Sequence, residues 1–324
     1  YAWFEKKNIS VKYLYSIEKQ KFIDLKSFNP DIVFYEQPWQ LPKKYQPYNV
    51  SKYALTFYSN YGGINTTKCS FKTTKSFRQD LFCYLVDNNF AKQQLEDNFE
   101  NTNNVYICGN LKLDIYNEPI DYNKQIWKTS NKKRVIWAPH FSFVGQKLLN
   151  IGTFDKNYQY LYEYAQKHNE IEFILKPHPE LKRHVIANNF MTEDEYNSYM
   201  RKWSLLDNAQ IYDKGGYFDM FKTSDALITD CSSFLYEYLP SERPIIHLTK
   251  YDATPFNEFG NFLTSAYYKA YSIQELEKYL KEVVENDNDY LKEKRMEVLQ
   301  SLFSKNNSKA ASKVKNYILE ITFK

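Results

Sequence analysis

Short apolar runs recur along the chain and alternate with longer stretches whose apolar positions repeat at helical spacing. The runs are Ile9–Tyr15, Ile32–Tyr35, Tyr53–Phe57 and Val105–Cys108, then Arg134–Ala138, Ile171–Lys176, Ala209–Tyr212, Ala226–Thr229 and Pro244–Leu248. Runs of this length bounded by polar turns predict strands, and strands separated by helices imply parallel sheets joined by crossovers. One helix start is explicit: Ser272-Ile273-Gln274-Glu275 is a capping box, followed by Leu276, Tyr279, Leu280, Val283 and Val284 on one face. The polar stretch Asn117–Lys133 carries no strand signal and separates the two series. The expectation is an α/β chain with two Rossmann-like domains, the first over residues 1–128 and the second over 129–305. A helix over 306–324 is expected to return to the first domain. Because the chain opens Tyr1-Ala2-Trp3-Phe4, as if partway through a helix, the first domain is expected to lack its first strand.

Length supports two cores rather than one, since 324 residues exceed the usual size of a single domain. With 43% hydrophobic and 25% charged residues, and no apolar run near the roughly 20 residues of a membrane helix, a soluble protein is expected. The net charge of +4 is too small to suggest a general nucleic-acid binder. Four cysteines without Cys-x-x-Cys spacing argue against a zinc knuckle or a disulfide framework, and for a reducing cytoplasm. Abundant Tyr, Lys, Asn and Ile with only 8 Gly fit an AT-rich coding sequence such as a low-GC bacterium carries. One segment stands out in charge: between Lys43 and Arg78 there are seven basic residues, no Asp or Glu, and interleaved aromatics. An acidic polymer or an anionic lipid surface would suit it, and so would a solvated basic face over core aromatics.

Candidate chemistry gathers at predicted strand exits, where open α/β sheets bind ligands. In Asp225–Glu237 a buried strand ends in a polar turn, Thr229-Asp230-Cys231-Ser232-Ser233, and a helix follows. Unpaired N–H groups of a first helical turn, with two hydroxyls beside them, suit a phosphate. Glu237, one turn further on, could accept from ribose hydroxyls. In Lys176-Pro177-His178-Pro179 two prolines fix the backbone around His178, which suits a histidine that stabilises charge on a leaving group. A third exit carries His140 and Ser142. Gly215-Gly216-Tyr217 follows a fourth strand, where backbone could read a base and a ring pack on it; an ordinary Gly-Gly turn over core aromatics fits equally well.

Lys176-Pro177-His178-Pro179, then Leu227-Ile228-Thr229-Asp230-Cys231-Ser232-Ser233 about fifty positions later, then Arg243-Pro244-Ile245-Ile246, resembles the CDP-glycerol glycerophosphotransferase (teichoic acid polymerase-like) family. Gly109-Asn110-Leu111-Lys112-Leu113-Asp114 is similar to that family's Gly-Asn-x-(Lys/Arg)-x-Asp stretch, so the resemblance spans roughly residues 105–250. It implies a GT-B fold, two Rossmann-like domains facing a cleft, with a CDP-alcohol donor in the second and no metal or cofactor. On that reading Lys176, Thr229, Asp230, Ser232 and Ser233 line the pyrophosphate site, Gly216 and Tyr217 the base, Glu237 the ribose, and His178 stabilises the departing CMP. The implied partners are a nucleotide-activated donor and an anionic glycan or lipid-linked acceptor at the inner face of a bacterial plasma membrane, with no nucleic acid. The family's Trp-His-Gly-Thr-Pro turn is absent: the nearest glycine turn holds Tyr61, Gly62 and Gly63, an expected acceptor-side element, and no histidine precedes His140. Glu36, at the exit of the strand before Gln37-Pro38, is therefore the candidate acceptor base as a desolvated carboxylate, with His140 as runner-up. The same His-Pro and Ser-Ser pairing also suits a glycosyltransferase using a CMP-sugar, and the missing histidine would suit a nucleotide-binding scaffold.

Overall fold

The computed structural model describes residues 4, 7–38, 40–59, 75–97, 102–121, 125–129, 131–143, 149–303 and 309–322. They divide into two compact units, a smaller one within Tyr1–Tyr61, Phe71–Val86 and Lys92–Ile107, and a larger one that includes Asp87–Ala91 and Cys108–Lys324.

The smaller unit holds a four-stranded parallel sheet in the order β3-β4-β5-β6, formed by Ile32–Tyr35, Leu55–Ser59, Cys83–Val86 and Val105–Ile107. Phe57, Tyr58, Tyr84 and Leu85 are buried at its centre, as expected for strands covered on both faces. The strand expected over Ile9–Tyr15 does not form. Only a two-residue ribbon is present there, β1 (Tyr15–Ser16) antiparallel to β2 (Lys21–Phe22), and Tyr13 stays 73% exposed. Among the described residues no strand pairs with 9–13, and their side chains stay largely exposed.

The larger unit is built on six parallel strands: β7 (Lys133–Ala138), β8 (Ile171–Leu175), β9 (Ala209–Ile211), β10 (Ala226–Thr229), β11 (Ile245–Leu248) and β12 (Tyr268–Ala270). Their spatial order, β9-β8-β7-β10-β11-β12, runs outward from β7 in one direction and then from β10 in the other. This is the doubly wound Rossmann order, and it puts the switch point between β7 and β10. Alternation within β7 shows how the sheet separates two cores. Val135 and Trp137 face a layer with Phe154, Phe173 and Trp203, while Ile136 and Ala138 face a layer with Ile174, Leu227 and Tyr236. The expected cap at Ser272 is present, accepting from the Glu275 N–H at 3.2 Å, and Leu276, Leu280, Val283 and Val284 are all buried.

Two boundaries differ from expectation. Residues 108–128 belong with the larger unit, not with the chain before them, because Leu113, Ile126 and Trp127 pack into its core and the buried Glu172 carboxylate accepts the Lys128 and Thr129 N–H groups. The C-terminal helix Ala310–Thr322 also sits in the larger unit, where the Asp114 carboxylate accepts the Ala310 and Ala311 N–H groups at 2.7 and 2.8 Å.

Candidate active site

At the switch point the strand exits are tied to one another by the chain's own hydrogen bonds. The Lys176 N–H donates to the Trp137 carbonyl at 2.8 Å and the His178 N–H to the Pro139 carbonyl at 3.1 Å, so the exit of β8 is fastened to that of β7. Thr229 Oγ1 donates to the Ala138 carbonyl at 2.7 Å and accepts the Cys231 N–H at 3.0 Å, which fastens β10 to β7 from the other side. Asp230 completes the frame. One carboxylate oxygen accepts the His140 N–H at 2.6 Å, and the other accepts the Thr153 N–H at 2.6 Å and the Thr153 hydroxyl at 2.8 Å. Burial pushes the Asp230 carboxyl up to about 6 against the pull of those donors. Gly152 lets the loop close onto His140: a Cβ there would lie 2.9 Å from the His140 carbonyl oxygen and 2.8 Å from the Phe143 nitrogen. Both Thr229 and Asp230, expected at the donor site, are buried and tie the turn to its neighbours through these groups.

The two histidines are fixed in one tautomer. The Glu180 backbone N–H donates to His178 Nδ1 at 3.1 Å, and the Ser142 backbone N–H donates to His140 Nδ1 at 3.2 Å, with Ser142 Oγ 2.8 Å away. A nitrogen that accepts a backbone N–H carries no proton, so each neutral ring bears its hydrogen on Nε2. Burial lowers the His178 pKa to about 4, which keeps the ring neutral at pH 7. The rings lie edge to face with centroids 4.9 Å apart. Two Nε2–H donors at adjoining strand exits suit an anionic ligand. The same tautomer counts against His140 as the acceptor base, because its lone pair is turned toward Ser142.

Lys176 is buried beside the exit of β8. Its ammonium donates to the Lys214 carbonyl at 3.2 Å and lies 5.2 and 5.0 Å from the ring centroids of Tyr212 and Tyr217, and burial lowers its pKa. The loop that brings Tyr217 there turns at Gly216, whose φ of +71° is a left-handed conformation that glycine adopts readily. Ser232 and Ser233 are half-buried in the first turn of the helix Ser232–Glu237, whose cap position is Cys231 rather than Ser232. The Ser233 hydroxyl lies 3.3 Å from Cys231 Sγ. Glu237 is no surface residue: it is 3% exposed, and its two oxygens accept from Lys112 Nζ at 2.8 Å and from the Tyr217 hydroxyl at 2.5 Å.

Two expectations on the acceptor side fare differently. Glu36 lies in an exposed bend after β3, so the desolvated carboxylate expected of a base is not present there. Tyr61, Gly62 and Gly63 lie outside the described residues. Lys112 and Asp87 escaped the sequence reading. The first was visible only as a letter in the Gly109–Asp114 stretch; the second, which accepts from Asn110 Nδ2 at 2.8 Å, follows β5, which is not among the apolar runs read from the sequence. Among the described residues no group of three or more His, Cys, Asp or Glu is placed to hold a metal ion, and no helix is long and apolar enough to cross a membrane.

The fold has solved counterparts. It is similar to a co-structure of S. aureus MnaA with UDP, with a TM-score of 0.60 and 13% identity over 98% of this chain and 87% of that one. It is also similar to the wall teichoic acid polymerase TagF, with a TM-score of 0.57 and 16% identity over 90% of this chain and 72% of that one. A TagF variant soaked with CDPG gives a TM-score of 0.55 and 17% identity over the same shares. Likeness at such identities speaks to the fold, which is the GT-B type. Among curated proteins the chain has no match. Its sequence is more specific than its shape, because residues 58–320 fit the profile described as CDP-Glycerol:Poly(glycerophosphate) glycerophosphotransferase. A match over that much of the chain, enclosing every strand exit at the switch point, makes this protein a transferase of the CDP-glycerol glycerophosphotransferase family.

Proposed function

We propose that this transferase moves a glycerol-phosphate or similar polyol-phosphate group from a CDP-alcohol to a hydroxyl of a teichoic acid, capsule or lipopolysaccharide precursor, at the inner face of a bacterial plasma membrane and without metal or cofactor. Family membership supports the reaction class, and the TagF variant soaked with CDPG supports the donor. The observation that carries the reading is the convergence of His140, Lys176, His178, Ser232 and Ser233 at three hydrogen-bonded strand exits around the switch point.

In this reading the acceptor hydroxyl oxygen attacks the phosphorus that bears the alcohol and its proton passes to water. The bond from that phosphorus to the bridging oxygen breaks, and CMP departs with the electron pair. Lys176, Ser232 and Ser233 hold the pyrophosphate. The Nε2–H of His178 donates to the CMP phosphate as negative charge builds, an interaction that strengthens in the transition state and therefore raises turnover. His140, whose tautomer makes it a donor, adds a second hydrogen bond. Glu237 accepts from ribose hydroxyls, and Gly216 with Tyr217 borders the base.

Thermal shift with cytidine, uridine and guanosine diphosphates tests the donor, since a bound ligand raises stability by mass action. CDP is expected to raise the melting temperature most, and turnover with CDP-glycerol is expected to give a phosphodiester by phosphorus NMR. A preference for UDP, or a glycosidic bond in the product, would instead make this a sugar transferase.

A further inference from the structure

Glu237 and Asp87 bring two acidic groups into one partly buried region, and each has its own polar partner from a single short segment. Asn110 donates to Asp87 Oδ2, and Lys112, two residues later in the 3-10 helix Leu111–Asn117, donates to Glu237 Oε1. Burial and the negative charge of Glu237 push the Asp87 carboxyl up to about 6. The Glu237 side chain is only 4% exposed, whereas Lys112 is 38% exposed and reaches inward to it. Lys112 Nζ also donates to the Tyr217 hydroxyl at 2.9 Å, and that hydroxyl in turn donates to the second Glu237 oxygen. One ammonium thus orients both the carboxylate and the phenol. A buried carboxylate without such a counter-charge would be costly to keep ionised and free to rotate.

Building on the reading of Glu237 as the ribose ligand, we propose that Lys112 is the positioning residue of ribose recognition. With Tyr217 it occupies one lone-pair direction on each Glu237 oxygen and fixes how the carboxylate is turned, so that its remaining lone pairs accept from the ribose hydroxyls of the cytidine nucleotide. Lys112 touches no reacting atom. Its contribution is selectivity for a nucleotide bearing those hydroxyls.

The test is calorimetric titration of CDP and 2′,3′-dideoxy-CDP into the intact protein and its variants, with the unliganded melting temperature of each measured first. Wild type is expected to prefer CDP by roughly ten-fold or more, the usual worth of hydrogen bonds to a charged acceptor. Lys112→Met is expected to shrink that ratio to about three-fold or less, and Lys112→Arg, which keeps the charge, to retain most of it. Should the Met variant not fold, Lys112→Gln carries the same comparison. A neutral variant that discriminates like wild type overturns the inference and leaves Glu237 as the ribose ligand, and equal loss in the Met and Arg variants overturns it too. If wild type binds CDP without discriminating, the ribose reading of Glu237 falls and this inference with it. If wild type does not bind CDP, the cytidine donor itself is wrong.

Discussion

At the carboxyl ends of β7, β8 and β10 each strand exit is hydrogen-bonded to its neighbour, whereas β3 of the smaller sheet ends in an exposed bend carrying Glu36. Both sheets are parallel, and both offered a polar residue at a strand exit to the sequence reading. The difference lies behind the exits. Asp230, Thr229 and Gly152 hold His140 and its loop from within, and the Pro-His-Pro turn is locked by N–H groups at both ends. Groups held this way need little reorganisation when charge develops, which is the condition for electrostatic catalysis. A polar residue at a strand end becomes a candidate for chemistry when buried neighbours fix it, and position alone is not enough.

The sharpest way to break the comparison is to remove the frame. Asp230→Ala leaves three buried donors unpaired and is expected to cost about 3–5 kcal/mol, read as a fall of roughly 10 °C or more in melting temperature. A stable Asp230→Ala protein would mean that the exits are not held as described. Next in size, His178→Ala is expected to lower turnover by roughly 100- to 1000-fold, with donor affinity kept within a few-fold, as for the loss of one donor to developing charge. Steady-state kinetics with CDP-glycerol decides it, and unchanged turnover refutes the role.

Lys176→Met is expected to weaken CDP binding by roughly ten- to hundred-fold through loss of a charge-assisted contact, measured by titration. A smaller effect concerns pH. Since His178 has its pKa lowered to about 4, it stays neutral down to that pH, and protonation of Nδ1 below it would set two hydrogens against each other at the Glu180 N–H. Any loss of turnover due to His178 is therefore expected as pH falls through about 4, with none between pH 5 and 8. A limb near 6.5 that vanishes in His178→Gln would contradict the half-buried, neutral ring. Smallest of all, Glu36→Gln is expected to change stability by less than about 0.5 kcal/mol and to leave turnover unaltered. If it abolishes turnover, the contrast between the two rims fails.

Strand exits and the polar residues at their rim were legible because their signals are local. Lys176-Pro177-His178-Pro179 announces a rigid turn by itself, and the run before Ser232 announces a strand and a helix start. Ser272–Glu275 announced its cap in the same way. What stayed hidden depended on distance. β5 and β12 went unread although β10 and β9 are no longer, so it was their pairing with β4, β6 and β11, not their length, that the local sequence left unmarked. Lys112 meets Glu237 across 125 positions, and Asp230 reaches His140 and Thr153 across 90 and 77, so neither role can be read from neighbours in the chain. The N-terminal run misled for the opposite reason, since alternation was there but no strand lies beside it among the described residues.

The Asp114 cap on the helix Ala310–Thr322 has a consequence for the order in which the protein is made. Lys112 stands two residues before Asp114, and the partner that fixes this turn arrives 196 positions later. Gly109 also packs its Cα against Ala310, where an added Cβ would come within 3.4 Å of the alanine Cβ. A nascent chain on the ribosome can complete β7 to β12 and dock this turn through Leu113 in the core and the Tyr116 hydroxyl on the Glu237 carbonyl, yet the Asp114 carboxylate meets the Ala310 and Ala311 N–H groups only when the segment beyond residue 309 has emerged. The turn that carries Lys112 is therefore docked early and fastened late, by residues far apart in the order of translation.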